Sequence, residues 1–216
     1  MSRSYDLIVF DWDGTLMDSE AKIVRCMRAA AVDLDIAVPG EEAVRHIIGL
    51  GLGEALAALF PRCDVTTRAQ LAERYREHFL VHDQGAMPLF PGVDAGLAAL
   101  ADRGFLLAVA TGKARRGLER VLDDTATRRY FAATRCADET CSKPHPRMLE
   151  EILEVTGVEV ARALMVGDTV YDMAMARNAG LPALAVSYGV HTRESLLANG
   201  ALACLDSFDA VCAWLG

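Results

Sequence analysis

The stretch Tyr5-Asp6-Leu7-Ile8-Val9-Phe10-Asp11-Trp12-Asp13-Gly14-Thr15 decides the fold. Residues 5–10 form a short apolar run of strand type, continuous rather than alternating, as expected of a strand buried on both faces of a parallel sheet. The run stops at Asp11 and the turn-forming pair Asp13-Gly14. From residue 18 to about 35 apolar residues recur at helical spacing. A strand therefore hands over to a helix across two aspartates.

Working outward, residues 19–85 contain no convincing strand. The segments 41–48, 54–60 and 67–82 all carry apolar residues three and four apart, so this is a block of helices. Met87-Pro88-Leu89-Phe90-Pro91-Gly92 breaks the pattern, as two prolines and a glycine should. Beyond it the rhythm changes. Strand-like runs at 105–110, 131–136 (weaker), 163–166 and 182–187 alternate with helical patterns at 93–103, 114–123, 147–156 and 170–179. Such alternation builds a parallel sheet covered by helices on both faces. The expected fold is α/β: a Rossmann-like core from residues 1–16 and 89–216, with an all-helical cap inserted at 17–88.

Composition narrows the function. With 216 residues, 52% of them apolar, the chain can bury a full core without metal or disulfide staples. Its 30 acidic and 22 basic residues give a net charge of −8, which argues against a non-specific nucleic-acid binder. No run approaches the roughly 18 apolar residues of a membrane span, and no secretory leader pattern precedes residue 5. A cytoplasmic location is expected, and a monomer is compatible with the sequence. Cys26, Cys63, Cys136, Cys141, Cys204 and Cys212 lack the two-residue spacing of a zinc knuckle or redox pair and read as reduced thiols. Cys136 and Cys141 flank the loop before Lys143; oxidation there could disturb the site, but the favoured reading is an ordinary pair of thiols.

In an open parallel sheet, ligands bind beyond the carboxyl ends of the strands. Asp11 and Asp13 follow the first strand, Thr111-Gly112-Lys113 the second, and Lys143-Pro144 the loop after the weak one. Gly167-Asp168-Thr169 follows the fourth, with Asp172 a helical turn later. Acids, a lysine and a hydroxyl at one sheet edge indicate a divalent cation and a phosphoryl group. Magnesium takes oxygen ligands, which suits Asp11 and Asp168. An ionised Asp11 can attack phosphorus, and Asp13, two residues on, can carry a proton to the leaving oxygen, with a neighbouring carboxylate favouring its protonated form. Lys143 would balance phosphoryl charge, and Thr111 with the Gly112 amide would hydrogen-bond the oxygens. Taken singly, each feature has an ordinary alternative: a turn at Asp13-Gly14, a helix N-cap at Asp168, a first-turn acid favoured by the helix dipole at Asp172, a solvated lysine at 143. Chance would rarely align all of them.

With these residues assembled, the chain resembles the haloacid dehalogenase superfamily, in the branch with a helical C1-type cap after the first strand. Its phosphoglycolate phosphatase-like members are the most similar in pattern. Asp11-Trp12-Asp13-Gly14-Thr15-Leu16, Thr111-Gly112, Lys143-Pro144 and Gly167-Asp168-Thr169-Val170-Tyr171-Asp172 look like its four motifs in order. The resemblance implies Asp11 as nucleophile and Asp13 as acid/base. Magnesium would be held by Asp11, the Asp13 backbone carbonyl and Asp168, with Asp172 ordering its water shell. The acid at Asp13 favours a phosphatase or phosphomutase over carbon–halogen or carbon–phosphorus cleavage. The expected substrate is a small phosphorylated metabolite, phosphoglycolate-like or a phosphosugar.

The cap sets substrate choice through the loop Gly49-Leu50-Gly51-Leu52-Gly53, which carries no charge. Arg45 and His46, just before it, either reach a substrate carboxylate or hydroxyl or form a solvated helix end. The glycine run is not a dinucleotide fingerprint, and Gly112-Lys113 is not a Walker loop. His78 and His82 could share zinc only with a third ligand, and none is evident. The competing functions are a β-phosphoglucomutase-like phosphosugar mutase, a phospho-accepting receiver module, and an inactive binding protein. The helical insert counts against the receiver, and the completeness of the motifs against the binding protein.

Overall fold

A computed structural model describes residues 4–216. Six parallel strands form one sheet: β1 (Leu7–Phe10), β2 (Leu106–Thr111), β3 (Phe131–Cys136), β4 (Ala163–Gly167), β5 (Ala183–Val186) and β6 (Cys204–Leu205). Their order is β3-β2-β1-β4-β5-β6. The chain therefore builds outward from β1 to one edge, returns to the middle at β4, and builds to the other edge. The reversal lies between β1 and β4, where an open parallel sheet leaves a crevice beyond its strand ends. Asp11 and Asp168 are the residues that follow these two strands.

Alternation along the strands makes two cores. Ile8, Phe10, Leu107, Val109, Leu164 and Val166 face one side. There they meet α5 (Val93–Asp102), α6 (Arg115–Asp124) and α10 (Phe208–Trp214). Leu7, Val9, Ala108, Ala110, Ala163 and Met165 face the other. That side is covered by α7 (Arg147–Thr156), α8 (Val170–Asn178) and α9 (Arg193–Ala198). Small alanines on the second face leave room for Met148, Met173 and Met175, whose flexible thioethers fill the space.

Residues 20–82 are helical: α1 (Glu20–Asp33), α2 (Glu41–His46), α3 (Leu52–Leu59), α4 (Val65–Glu77) and a wider π turn at His78–His82. The sequence periodicity reads one helix over 67–82; the structure changes helical pitch at His78. Its imidazole there meets Asp33 at 2.7 Å, while His82 meets Glu77 at 3.3 Å, so each of the two rings is engaged by its own acid. These helices share a separate core around Val24, Met27, Val44, Leu56 and Leu71. The two connections to the sheet run side by side, with the Asp18 amide donating to Pro88 O at 2.9 Å and the Phe90 amide to Leu16 O at 2.9 Å.

Sequence patterning assigns nothing after residue 187, yet that segment closes the sheet with β6 and α10. Phe208 is 1% exposed and stacks at 5.7 Å on Phe10. No helix among the described residues is long and apolar enough to cross a membrane. Phe208→Ala should lower unfolding free energy by about 3–5 kcal/mol in urea titration, the cost of an unfilled aromatic site; a loss under about 1 kcal/mol would show that α10 is dispensable packing.

Candidate active site

Three of the four positions singled out at the strand ends converge on one buried cluster. One carboxylate oxygen each from Asp11, Asp168 and Asp172 lies within 4.8 Å of the others, and all three residues are buried. Lys143 stands among them, its Nζ 2.7 Å from Asp11 Oδ1 and 2.7 Å from Asp172 Oδ1. Main-chain geometry places each group. The Asp11 amide extends the sheet by donating to Val166 O at 2.9 Å. Asp172 sits in the first turn of α8, where its Oδ2 accepts from the Thr169 amide at 3.0 Å and the Thr169 hydroxyl at 2.7 Å, while Thr169 caps the helix in return.

Asp168 is held equally firmly. The Thr15 hydroxyl donates to its Oδ1 at 2.7 Å and the Val190 amide to its Oδ2 at 2.9 Å. Gly14 makes this contact possible: at φ +86° it turns the loop after β1, and a Cβ there would lie 2.2 Å from Asp168 Oδ2.

Electrostatics dominate the cluster. Burial pushes the Asp11 carboxyl well above the usual range, Lys143 opposes this, and Asp172 and Asp168 add to it. Burial, then Asp172, raises Asp168 to about 7, against the pull of its hydrogen bonds from Thr15 and Val190. Burial works against the Lys143 ammonium, but the attraction of Asp11 and Asp172 outweighs it and holds the lysine charged. Ionising all three acids against one ammonium would leave two negative charges uncompensated among buried side chains. Asp11 Oδ2 is buried and accepts no hydrogen bond from the described residues. An all-oxygen donor set with that deficit fits a hard divalent cation.

Asp13 lies apart from this cluster at the base of a cavity. Its Oδ1 accepts from the Ser19 hydroxyl at 2.6 Å and meets Lys113 Nζ at 3.0 Å. The sequence reading supplies a second carboxylate as its influential neighbour; the groups in contact with it are a hydroxyl and an ammonium. Thr111 is buried at the end of β2, its hydroxyl accepting from the Lys113 amide at 3.1 Å. Gly112 packs under the loop after α2, where a Cβ would stand 2.4 Å from Leu50 O. Lys143 is 1% exposed and does not border the cavity, so in this structure its contacts are carboxylates.

Arg45 does not reach the site. Its guanidinium pairs with Glu20 at 2.5 Å and Glu41 at 3.3 Å on the surface and does not line the cavity. The expectation of a substrate contact there is corrected: α2 turns Arg45 toward α1, and two acids satisfy it.

His46, in contrast, touches the core. Its carbonyl accepts from the Tyr171 hydroxyl at 2.9 Å and from His191 Nε2 at 3.3 Å, while His191 Nδ1 accepts from the Val170 amide at 3.0 Å. These partners fix the Nε2–H tautomer of His191. A further tie joins the Gly51 amide to the Ser142 hydroxyl at 2.7 Å. The helical segment is thus closed over the strand ends.

Ser19, Ser142 and His191 were not singled out from sequence, and Lys113 was quoted in the run after the second strand without a role of its own. Inspecting the end of the fifth strand as well as the other four would have found Tyr188, Val190 and His191. Ser19 and Ser142 carry no pattern of their own. Cys136 is buried at the end of β3, its thiol pushed up to about 12 mainly by burial, and Cys141 is a free, partly exposed thiol.

Comparison with known proteins places this geometry. Residues 8–186 match the model of the haloacid dehalogenase-like hydrolase family. The chain belongs to that family. It is 35% identical to "Probable phosphatase IndB" of Dickeya dadantii over 95% of this chain and 91% of that protein. It is 33% identical to phosphoglycolate phosphatase of Rhodospirillum rubrum over 97% of this chain and 90% of that one. A crystal structure described as a predicted phosphatase from Clostridium acetobutylicum superposes with a TM-score of 0.88 at 27% identity, over 98% of both chains. Within the family this chain is an enzyme of the phosphatase type.

Lys143→Met should cost about 3–5 kcal/mol in urea unfolding, because it strands buried carboxylates. Added magnesium should recover part of that loss by supplying positive charge; an unchanged unfolding midpoint would remove the lysine from its role as counter-ion.

Proposed function

We propose that the protein is a Mg²⁺-dependent phosphatase that hydrolyses a small phosphate monoester through an aspartyl-phosphate intermediate. The observation that carries the reading is the under-neutralised trio Asp11, Asp168 and Asp172, set beside a cavity that also holds Asp13. Phosphoglycolate is the substrate named for several relatives, including the Rhodospirillum rubrum enzyme.

The proposed chemistry runs in two displacements. A carboxylate oxygen of Asp11 attacks phosphorus, the bond from phosphorus to the ester oxygen breaks, and the Asp13 carboxyl gives that oxygen its proton. Asp13, now ionised, takes a proton from water; the water oxygen attacks the phosphoryl group, and inorganic phosphate leaves Asp11 free. Lys143 and the Trp12 amide, 2.7 Å and 2.6 Å from Asp11 Oδ1, fix the nucleophile's direction. Ser19 and Lys113 orient Asp13. Thr111 and the Gly112 amide, at the mouth, offer donors to the transferred oxygens.

Asp11, Asp168 and the Asp13 backbone carbonyl would hold the magnesium ion, with Asp172 beside them. When bound, it neutralises phosphoryl charge and keeps Asp11 ionised. The helical residues 17–88 act in this reading as a cap that excludes water once substrate is seated. The products expected are an alcohol and free phosphate, with the enzyme regenerated.

Phosphate release from p-nitrophenyl phosphate should be sustained with magnesium and abolished by chelator. Asp11→Asn should reduce kcat by at least about 10³-fold and Asp13→Asn by about 10²–10⁴-fold. Retention of a single phosphate per chain, or unchanged turnover in Asp11→Asn, would overturn the reading.

A further inference from the structure

We propose that the substrate's leaving group is a predominantly apolar body, aromatic or aliphatic, rather than a sugar or a short carboxylate. This rests on the phosphatase reading above and concerns the part of the substrate beyond the ester oxygen. A cavity of about 330 Å³ runs from Asp11 and Asp13 into the helical segment, a volume within the range of small-molecule sites. The loop after α2 is already seated on Gly112 and Ser142, so this space is what remains with the cap closed.

Its floor and its ceiling differ in chemistry. The floor is polar: Asp11, Asp13, Thr111 and Lys113. The ceiling is hydrocarbon, with Ile23, Met27, Ile48, Leu52 and Phe79 forming most of it. One hydroxyl breaks that ceiling, on Tyr75, and no described residue hydrogen-bonds it. A hexose placed there would bring several hydroxyls to a wall with one partner, at about 1–3 kcal/mol for each left unpaired.

A short carboxylate fares no better. Among the cations bordering the cavity, Lys113 is buried but already paired with Asp13 at 3.0 Å. Arg76 and Arg116 are exposed to solvent, as is the acid Asp138, which borders the cavity with them. Lys22 packs over the Phe79 ring at 4.9 Å and does not border the cavity. A carboxylate under this ceiling would give up water without gaining a free buried counter-ion, the two arginines being exposed and screened by solvent, whereas methylene or ring surface gains by burial.

The test is a series of unbranched alkyl phosphates from ethyl to hexyl, which share ester chemistry and differ in apolar area. Glucose 6-phosphate and 2-phosphoglycolate serve as polar comparators, all with magnesium. The proposal expects kcat/KM to rise about fourfold per added methylene, the equivalent of about 0.8 kcal/mol, until the cavity is full. Hexyl phosphate should exceed both comparators at least about tenfold. Leu52→Gln should flatten the rise, a ratio within one protein that partial misfolding cannot imitate. A flat series, or 2-phosphoglycolate ahead of hexyl phosphate, overturns this proposal and leaves the phosphatase reading standing. No phosphate from any ester overturns that reading, and this one with it.

Discussion

The Lys143 ammonium between Asp11 and Asp172 is the contact on which the arrangement depends. Neither partner could be buried alone, since the interior penalises an isolated charge by several kcal/mol. Held together they still do not balance, because Asp168 completes a trio facing one cation. A protein selected for stability alone would have replaced such a cluster with hydrocarbon. Its presence at the reversal point of the sheet is intelligible if a divalent cation completes the balance. The fold contributes the rigidity: two backbone hydrogen-bond systems, the extension of β1 toward β4 and the capping of α8, hold the acids where their repulsion would otherwise part them.

How far the sequence speaks depends on how local each signal is. The sheet core was legible because continuous apolar runs such as Leu7–Phe10 and Ala163–Gly167 have no other reading in this alternation. The strand-end rule then delivered Asp11, Asp168, Asp172 and Lys143 as near neighbours, since it needs only element order. What it could not deliver was direction. Asp13 is engaged by Lys113 and Arg45 by Glu20; both outcomes depend on side-chain partners distant in the chain. The terminal segment escaped notice because β6 has two residues and its helices are short. Its anchor, Phe208, is one aromatic among polar neighbours and shows its importance only against Phe10.

The cavity joins two kinds of physics. Around the acids, attraction is strong, directional and short-ranged. Under the helices it is diffuse and scales with area removed from water. In the proposed reading, a phosphate ester whose two ends match that division is held in one orientation, with its phosphorus toward Asp11. Specificity of this kind is modest per atom and accumulates with contact. The hydrogen bonds from Tyr171 and His191 to His46, and from Gly51 to Ser142, are few enough that closure and release remain within reach of binding energy.

The paired main-chain hydrogen bonds where the chain departs from and returns to the sheet, Asp18 to Pro88 and Phe90 to Leu16, have an evolutionary corollary. Everything between them joins the rest of the chain covalently at one spot, like a tool on a handle, and has its own interior. Exchange of that whole piece for another of similar footprint would leave the acidic trio, its lysine and the strand register untouched. Such a graft would have to resupply the Ser19 hydroxyl that Asp13 accepts from, while the groups carried by the sheet stayed in place.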